Sequence, residues 1–100
     1  MTYKLSYFDE AKTDVREAKF WYKRQQIGLE KRFAASIKYT LSRIVNNPFM
    51  CAVRYKNIRI AHPKEFPYGI HYYIDNIHYE LVIIAIIHNK RDVNMVLKRL

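Results

Sequence analysis

The stretch that most limits what this chain can fold into is Leu81–Ile87, an unbroken apolar run rich in Ile and bounded by Glu80 and His88. It is far shorter than the roughly 20 residues of a membrane-spanning helix, and its β-branched content suits a central strand covered on both faces. The residues ahead of it alternate: Phe66, Tyr68, Ile70, Tyr72 and Ile74 fall on one face, Pro67, Gly69, His71 and Tyr73 on the other. That period of two marks a half-buried strand, and Asp75, Asn76, Ile77 and His78 supply the turn between the two. His88, Asn89, Lys90, Arg91 and Asp92 follow at once, so a rigid element holds a histidine and two cations at its end. The rim of any site is expected there.

The remaining elements follow from spacing. Tyr3, Leu5 and Tyr7 share a face opposite Lys4 and Ser6, which makes a short first strand over Tyr3–Tyr7. Asp9 stands where an N-cap belongs, with Glu10 in a first turn that favours negative charge. In the helix that follows, Ala11, Val15, Ala18 and Tyr22 form a core stripe, and Lys12, Arg16, Lys19 and Lys23 ride the other side. Gly28 suits the left-handed turn after it. Leu29, Phe33, Ile37, Leu41, Ile44 and Val45 then rebuild a helical stripe that Asn46, Asn47 and Pro48 stop. So short a link sets the two helices antiparallel as a hairpin.

From Met50 the pattern turns to strands. Val53 and Tyr55 are in phase, but Ile58 and Ile60 are shifted by one, the parity slip that a β-bulge produces. Cys51–His62 reads as one bent strand, with a tight hairpin near Lys56–Asn57 as the alternative. Asp92 caps a final helix over Val93–Leu100, whose Lys98 and Arg99 suit its C-terminus. The expected fold is a single α+β domain over residues 1–100, with the helical hairpin packed on one face of a small, antiparallel-rich sheet.

Charge narrows the function. Lys and Arg total 18 against 9 acidic residues, a formal net charge of +9, which suits a polyanionic partner: nucleic acid or an acidic protein. The lone Cys51 excludes an intramolecular disulfide and a cysteine zinc site. The histidines lack ligand spacing, so no metal is expected, and neither helical stripe suggests a cofactor box, so no cofactor is expected. The N-terminus lacks the apolar segment of a signal peptide; the expectation is a cytoplasmic protein without a membrane partner.

At this level the chain resembles the RelE/ParE superfamily of type II toxins, also called plasmid-stabilisation proteins. The resemblance rests on the order of elements, on Ala11, Asp14, Ala18, Trp21 and Tyr22 in the first helix, and on Asn47-Pro48 after the second. Arg59 in the sheet and FPYGIHY followed by IIHNKRD complete it. The closing His88-x-x-Arg91-Asp92 looks more like the ParE-type branch. Such a resemblance implies a growth-inhibiting toxin blocked by a cognate acidic antitoxin in a toxin–antitoxin hetero-oligomer. RelE-like members cleave mRNA on the ribosome and ParE-like members poison DNA gyrase, so the implied target is the ribosome with its message, or gyrase. The terminal aromatic residue of several ribonuclease members is missing here, since no aromatic follows Tyr79.

If the chain cleaves RNA, attack by a 2′-hydroxyl needs proton-transfer groups and donors for the charge developing on phosphate. His88 is the natural acid or base, Arg91 a clamp for phosphate oxygens, and Tyr73 a proton relay or stacking surface. Arg59, Lys64, His71 and Lys90 are the partner-binding candidates. Arg59 faces away from Ile58 and Ile60, which places it in solvent or against a partner. Each has a plainer role: His88 bonding backbone at the strand end, Arg91 pairing with Asp92 or Glu80, and His62 and His78 solvated in turns. The alternative function is a non-catalytic toxin-fold module that only receives an acidic antitoxin peptide.

Overall fold

The computed structural model describes residues 3–100. Its elements run β1 (Lys4–Tyr7), α1 (Asp9–Gln25), α2 (Leu29–Asn46), β2 (Val53–Tyr55), β3 (Ile58–Ala61), β4 (Tyr68–Asp75), β5 (Glu80–His88) and α3 (Val93–Leu97). The five strands form one sheet in the order β1-β5-β4-β3-β2, with β1 parallel to β5 and every other pair antiparallel. The apolar run is central, as its composition requires: Leu81 to Ile87 are all buried. No helix among the described residues is long and apolar enough to cross a membrane.

Both helical stripes face the sheet. Ala11, Ala18 and Tyr22 of α1 join Phe33, Ile37, Leu41 and Ile44 of α2 over Ile70, Tyr72, Leu81, Ile83 and Ile86. At the hairpin end the Tyr22 ring meets Phe33 and Phe66, each at 5.1 Å between centroids. Gly28 makes the connection in the left-handed conformation, with φ at 95°. The opposite sheet face carries a second, smaller core of Ile58, Ile84, Ala85, Ile87 and Val96, with α3 folded across it.

One register shift explains how β5 feeds both cores. His71 pairs with Ala85 and Tyr72 with Ile83, so Ile84 is an extra residue in the ladder. Ile83 and Ile86 thereby face the helices while Ile84 and Ala85 both join the second core. Strict alternation would have turned one of them to the wrong side.

Several boundaries differ from the sequence reading: β1 begins at Lys4 and not Tyr3, and β4 runs Tyr68–Asp75, without Phe66 and Pro67 and with Asp75 taken from the expected turn. Phe8, not Asp9, is the N-cap of α1; its backbone is extended and Asp9 takes the first helical position, where its charge still favours the helix end. Cys51–His62 is two strands, because Lys56 adopts a positive φ of 51° and turns the chain. The hairpin alternative holds, and a register shift between Val53 and Tyr55 is present as well. The final helix stops at Leu97, and its Asp92 cap is as expected: the carboxylate accepts from the Asn94 N–H at 2.9 Å.

Arg99 does more than sit near a helix end. β1 ends opposite Ile83, so the rest of β5 has no strand on that side. Asp14 Oδ2 accepts the Ile86 N–H at 3.0 Å, and Arg99 Nη1 donates to the Ile84 carbonyl at 3.1 Å. The two side chains also pair with each other through both guanidinium nitrogens, at 2.7 and 2.9 Å. This ion pair takes the place of a missing strand and satisfies backbone groups that would cost about 1–3 kcal/mol each if left unbonded in the interior.

Candidate functional site

The end of β5 delivers His88 and the turn after it. Arg91 N–H donates to the His88 carbonyl at 2.9 Å, and the Lys90 N–H donates to His88 Nδ1 at 3.1 Å. The turn thus fixes the imidazole, and Arg91 carries its guanidinium beside it. Among the described residues no carboxylate pairs with Arg91; the ion pairs are Arg32 with Glu65, His78 with Asp75, and Arg99 with Asp14. The pairing of Arg91 with Asp92 or Glu80 that its sequence surroundings suggest is not formed.

His88 and Arg91 line a cleft of about 200 Å³ together with Arg54, Ile60, His62, His71, Asn89 and Val93. Two guanidiniums and three imidazoles share it, and no carboxylate does. Gly69 makes the close approach possible: a Cβ there would lie 2.9 Å from Ile60 Cγ2 and 3.4 Å from both Asn89 Oδ1 and His62 Cε1. On the other side of His88 and Arg91 a second concavity is walled by Asp14, Glu17, Trp21 and Tyr68. The Tyr68 ring meets His88 edge-on at 5.5 Å, and its phenol pKa is raised chiefly by burial.

His71 belongs to this cleft but not as an exposed partner-binding residue. It is only 5% exposed, because α3 and its core cover the sheet face that its phase points to. The Tyr55 hydroxyl lies 2.8 Å from its Nδ1. Burial first, then the positive charges of His62, Arg99 and Arg54, lower its pKa to about 4 against the pull of Asp14. His71 is therefore a neutral floor.

The other candidates do not converge on His88. Tyr73 pairs with Val82 whereas His88 pairs with Tyr68, so Tyr73 lies about five strand residues, roughly 17 Å, further along β4. It packs half-buried against the second core. Arg59 pairs with Tyr72, donates through Nη1 to the Cys51 carbonyl and stacks over Phe49, 5.1 Å from the ring centroid. That puts it at the far end of α2 and only half-exposed. Lys64 is exposed in the β3–β4 loop, where its carbonyl accepts from the Ser36 hydroxyl at 3.0 Å. Lys90 is exposed in the turn and contributes its backbone rather than a placed ammonium.

Sequence reasoning missed Arg54 and His62. Arg54 sits at the register shift of β2, which no local pattern marks. His62 follows β3 in what reads as a loop, yet its Nδ1 lies 3.0 Å from the Tyr68 carbonyl and is held. The signal that could have found it is Gly69, a small residue inside a strand otherwise built of large ones.

A different surface lies on the helical hairpin. The furrow between α1 and α2 has an apolar floor of Ala11, Val15, Ala34, Ile37 and Leu41. Lys12, Lys19 and Lys38 rim it, and the adjoining concavity adds Arg16, Lys23 and Lys31 against the single Glu30.

The comparisons with known proteins agree with this architecture. The chromosomal ParDE system of P. aeruginosa contains a chain that superposes with a TM-score of 0.69 at 18% identity, covering 87% of this chain and 96% of that one. The RelBE2 toxin–antitoxin complex of Mycobacterium tuberculosis gives 0.63 at 16% identity, over 88% and 92%. A double arginine-to-alanine mutant of the E. coli toxin RelE in the free state gives 0.62 at 12% identity, over 99% and 94%. No curated protein sequence matches the chain. The model of the family described as the ParE toxin of the type II toxin–antitoxin system parDE matches residues 5–93. With that match over a fold shared by ParDE and RelBE structures, the chain belongs to the ParE toxin family of type II toxin–antitoxin systems, within the RelE/ParE superfamily.

Proposed function

We propose that this toxin arrests growth by engaging DNA gyrase without hydrolysing RNA, and that a cognate acidic antitoxin blocks it. The observation that carries the reading is the scatter of the residues singled out for cleavage and for partner binding. His88 and Arg91 share a cleft, but Tyr73, Arg59 and Lys64 lie elsewhere in the fold. A scissile phosphate in that cleft would not meet the Tyr73 phenol named as proton relay, which lies about five strand residues, roughly 17 Å, further along β4. The family match to ParE toxins points the same way.

The antitoxin's seat in this reading is the α1–α2 furrow. An apolar floor under a cationic rim suits an amphipathic helix with acidic flanks, its apolar side chains filling the floor while its carboxylates meet the lysines. The action is proposed to be cytoplasmic, where gyrase works.

The test is an induced-expression assay in bacteria with two readouts. Growth arrest with inhibited supercoiling, intact reporter transcripts and relief by the antitoxin is the expected result. Transcripts cut at codon positions, with supercoiling unaffected, would replace gyrase by the ribosome as target. Undisturbed growth at high toxin level would leave only a module that binds the antitoxin.

A further inference from the structure

The cleft between β3, β4 and the β5–α3 turn has a hydrogen-bonding character that the toxin reading does not use. The Tyr68 carbonyl can only accept, so the His62 Nδ1 beside it at 3.0 Å carries the hydrogen. In the neutral ring this leaves the His62 Nε2 lone pair free. His88 is the reverse: its Nδ1 accepts the Lys90 N–H, so the neutral ring carries its hydrogen on Nε2. One cleft therefore presents an imidazole acceptor and an imidazole donor beside two guanidiniums.

Arg54 and Arg91 add two fixed positive charges, and neither is spent on a carboxylate among the described residues. Buried His71 and half-buried Ile60 line it as well.

We propose that this cleft is a binding site for a phosphomonoester, the terminal phosphate of a nucleotide or of a 5′-phosphorylated nucleic-acid end. Arg54 and Arg91 take its oxygens from two sides, His88 Nε2–H donates to a third oxygen, and the His62 Nε2 lone pair accepts a P–OH hydrogen only from the singly protonated ligand, the minor form near neutral pH. A phosphomonoester carries about 1.5 to 2 negative charges near neutral pH, which matches two guanidiniums. A backbone diester carries only one. The site shares Arg91 with the surface proposed to meet the toxin's target, so phosphate binding is read on the isolated chain and its failure is distinguishable from a failure of the gyrase reading, which is read as growth arrest and supercoiling.

Isothermal titration of the full chain at fixed low salt tests it. The ligands are inorganic phosphate, a nucleoside 5′-monophosphate, and one single-stranded oligonucleotide with either a 5′-phosphate or a 5′-hydroxyl. Phosphate and the monophosphate should bind, and the 5′-phosphorylated strand should bind about tenfold or more tighter than its 5′-hydroxyl form. Arg54→Gln and Arg91→Gln should each weaken phosphomonoester binding by about tenfold while Arg43→Gln, at the end of α2, does not. Both arginines are exposed and unpaired among the described residues, so these variants should fold, and Arg91→Lys should retain an intermediate affinity. A monophosphate that binds as well as the phosphorylated strand identifies a free nucleotide as the ligand; a tighter strand identifies the nucleic-acid end. Equal binding of the two oligonucleotide forms, or no response to phosphate and monophosphate at about ten millimolar, would overturn the proposal.

Discussion

Arg99 and Arg91 are the same side chain on one short C-terminal segment, and the fold puts them to opposite uses. Arg99 is 12% exposed in its side chain against an 11% exposed Asp14, and the pair finishes the edge of β5. Its pKa is raised, first by the hydrogen bonds it donates to Asp14 and against desolvation. Arg91 is exposed, bonded among the described residues only through its backbone, and stands between a cleft without a carboxylate and a concavity that includes Asp14 and Glu17. The lesson is that net charge alone does not locate a binding surface: one of these cations is committed to the chain's own backbone, the other is left for something outside it.

The largest expected effect breaks the committed side. Arg99→Ala strands the Asp14 carboxylate and the Ile84 carbonyl, and should lower stability by about 3–5 kcal/mol in urea denaturation. Replacing both partners, Asp14→Leu with Arg99→Met, sharpens the point. An ordinary buried pair often tolerates such a swap, but here the Ile86 N–H and Ile84 carbonyl would lose their partners. The double variant should therefore remain about 2 kcal/mol or more below the parent. Full recovery would mean that the pair supports packing and not the sheet edge.

His71, the floor of the open side, comes next. Its native pKa of about 4 lies below the ordinary 6.5, so the unfolded chain takes up a proton that the native state refuses. Its contribution is present above about pH 6.5 and is lost as pH falls toward 4. Between about pH 7 and about pH 5 this group should cost roughly 2 kcal/mol of stability. His71→Gln should remove that part of the pH slope; an unchanged slope would place the titration elsewhere. A smaller effect, about 1–2 kcal/mol, is expected for Gly69→Ala, whose new methyl must displace Ile60 Cγ2 from 2.9 Å. The same variant should narrow the cleft and weaken phosphate binding by calorimetry.

Much of this fold is legible in the sequence because it is written in periods. The stripes of α1 and α2, the alternation of β4 and the apolar run of β5 each describe one element, and local spacing suffices. What spacing misses are the defects. Lys56 turns the chain at a positive φ without glycine, and Ile84 shifts a register inside an even apolar run. At the site, His88 and Arg91 lie three residues apart in one turn and are readable. Arg54 and His62 join them only through pairing of β2, β3 and β4, and Arg59 and Tyr73 fall away for the same reason. Asp14 did leave a sign: it shares a helical face with Ala11 and Ala18, at spacings of three and four, so an acid stood on a core stripe. Its partner, 85 residues away, did not.

The smallest expected effect on stability is the most informative about function. Arg91→Ala removes no ion pair and uncovers no buried group, so urea denaturation should shift by no more than about 0.5 kcal/mol. If Arg91 is the cation held for a partner, the same variant should lose growth arrest on induced expression while still binding the antitoxin in the α1–α2 furrow, which it does not line. A stable Arg91→Ala that still arrests growth would assign the toxin's contact surface to the other exposed cations. An unstable one would show Arg91 to be a second Arg99, and the contrast between the two ends of this segment would collapse.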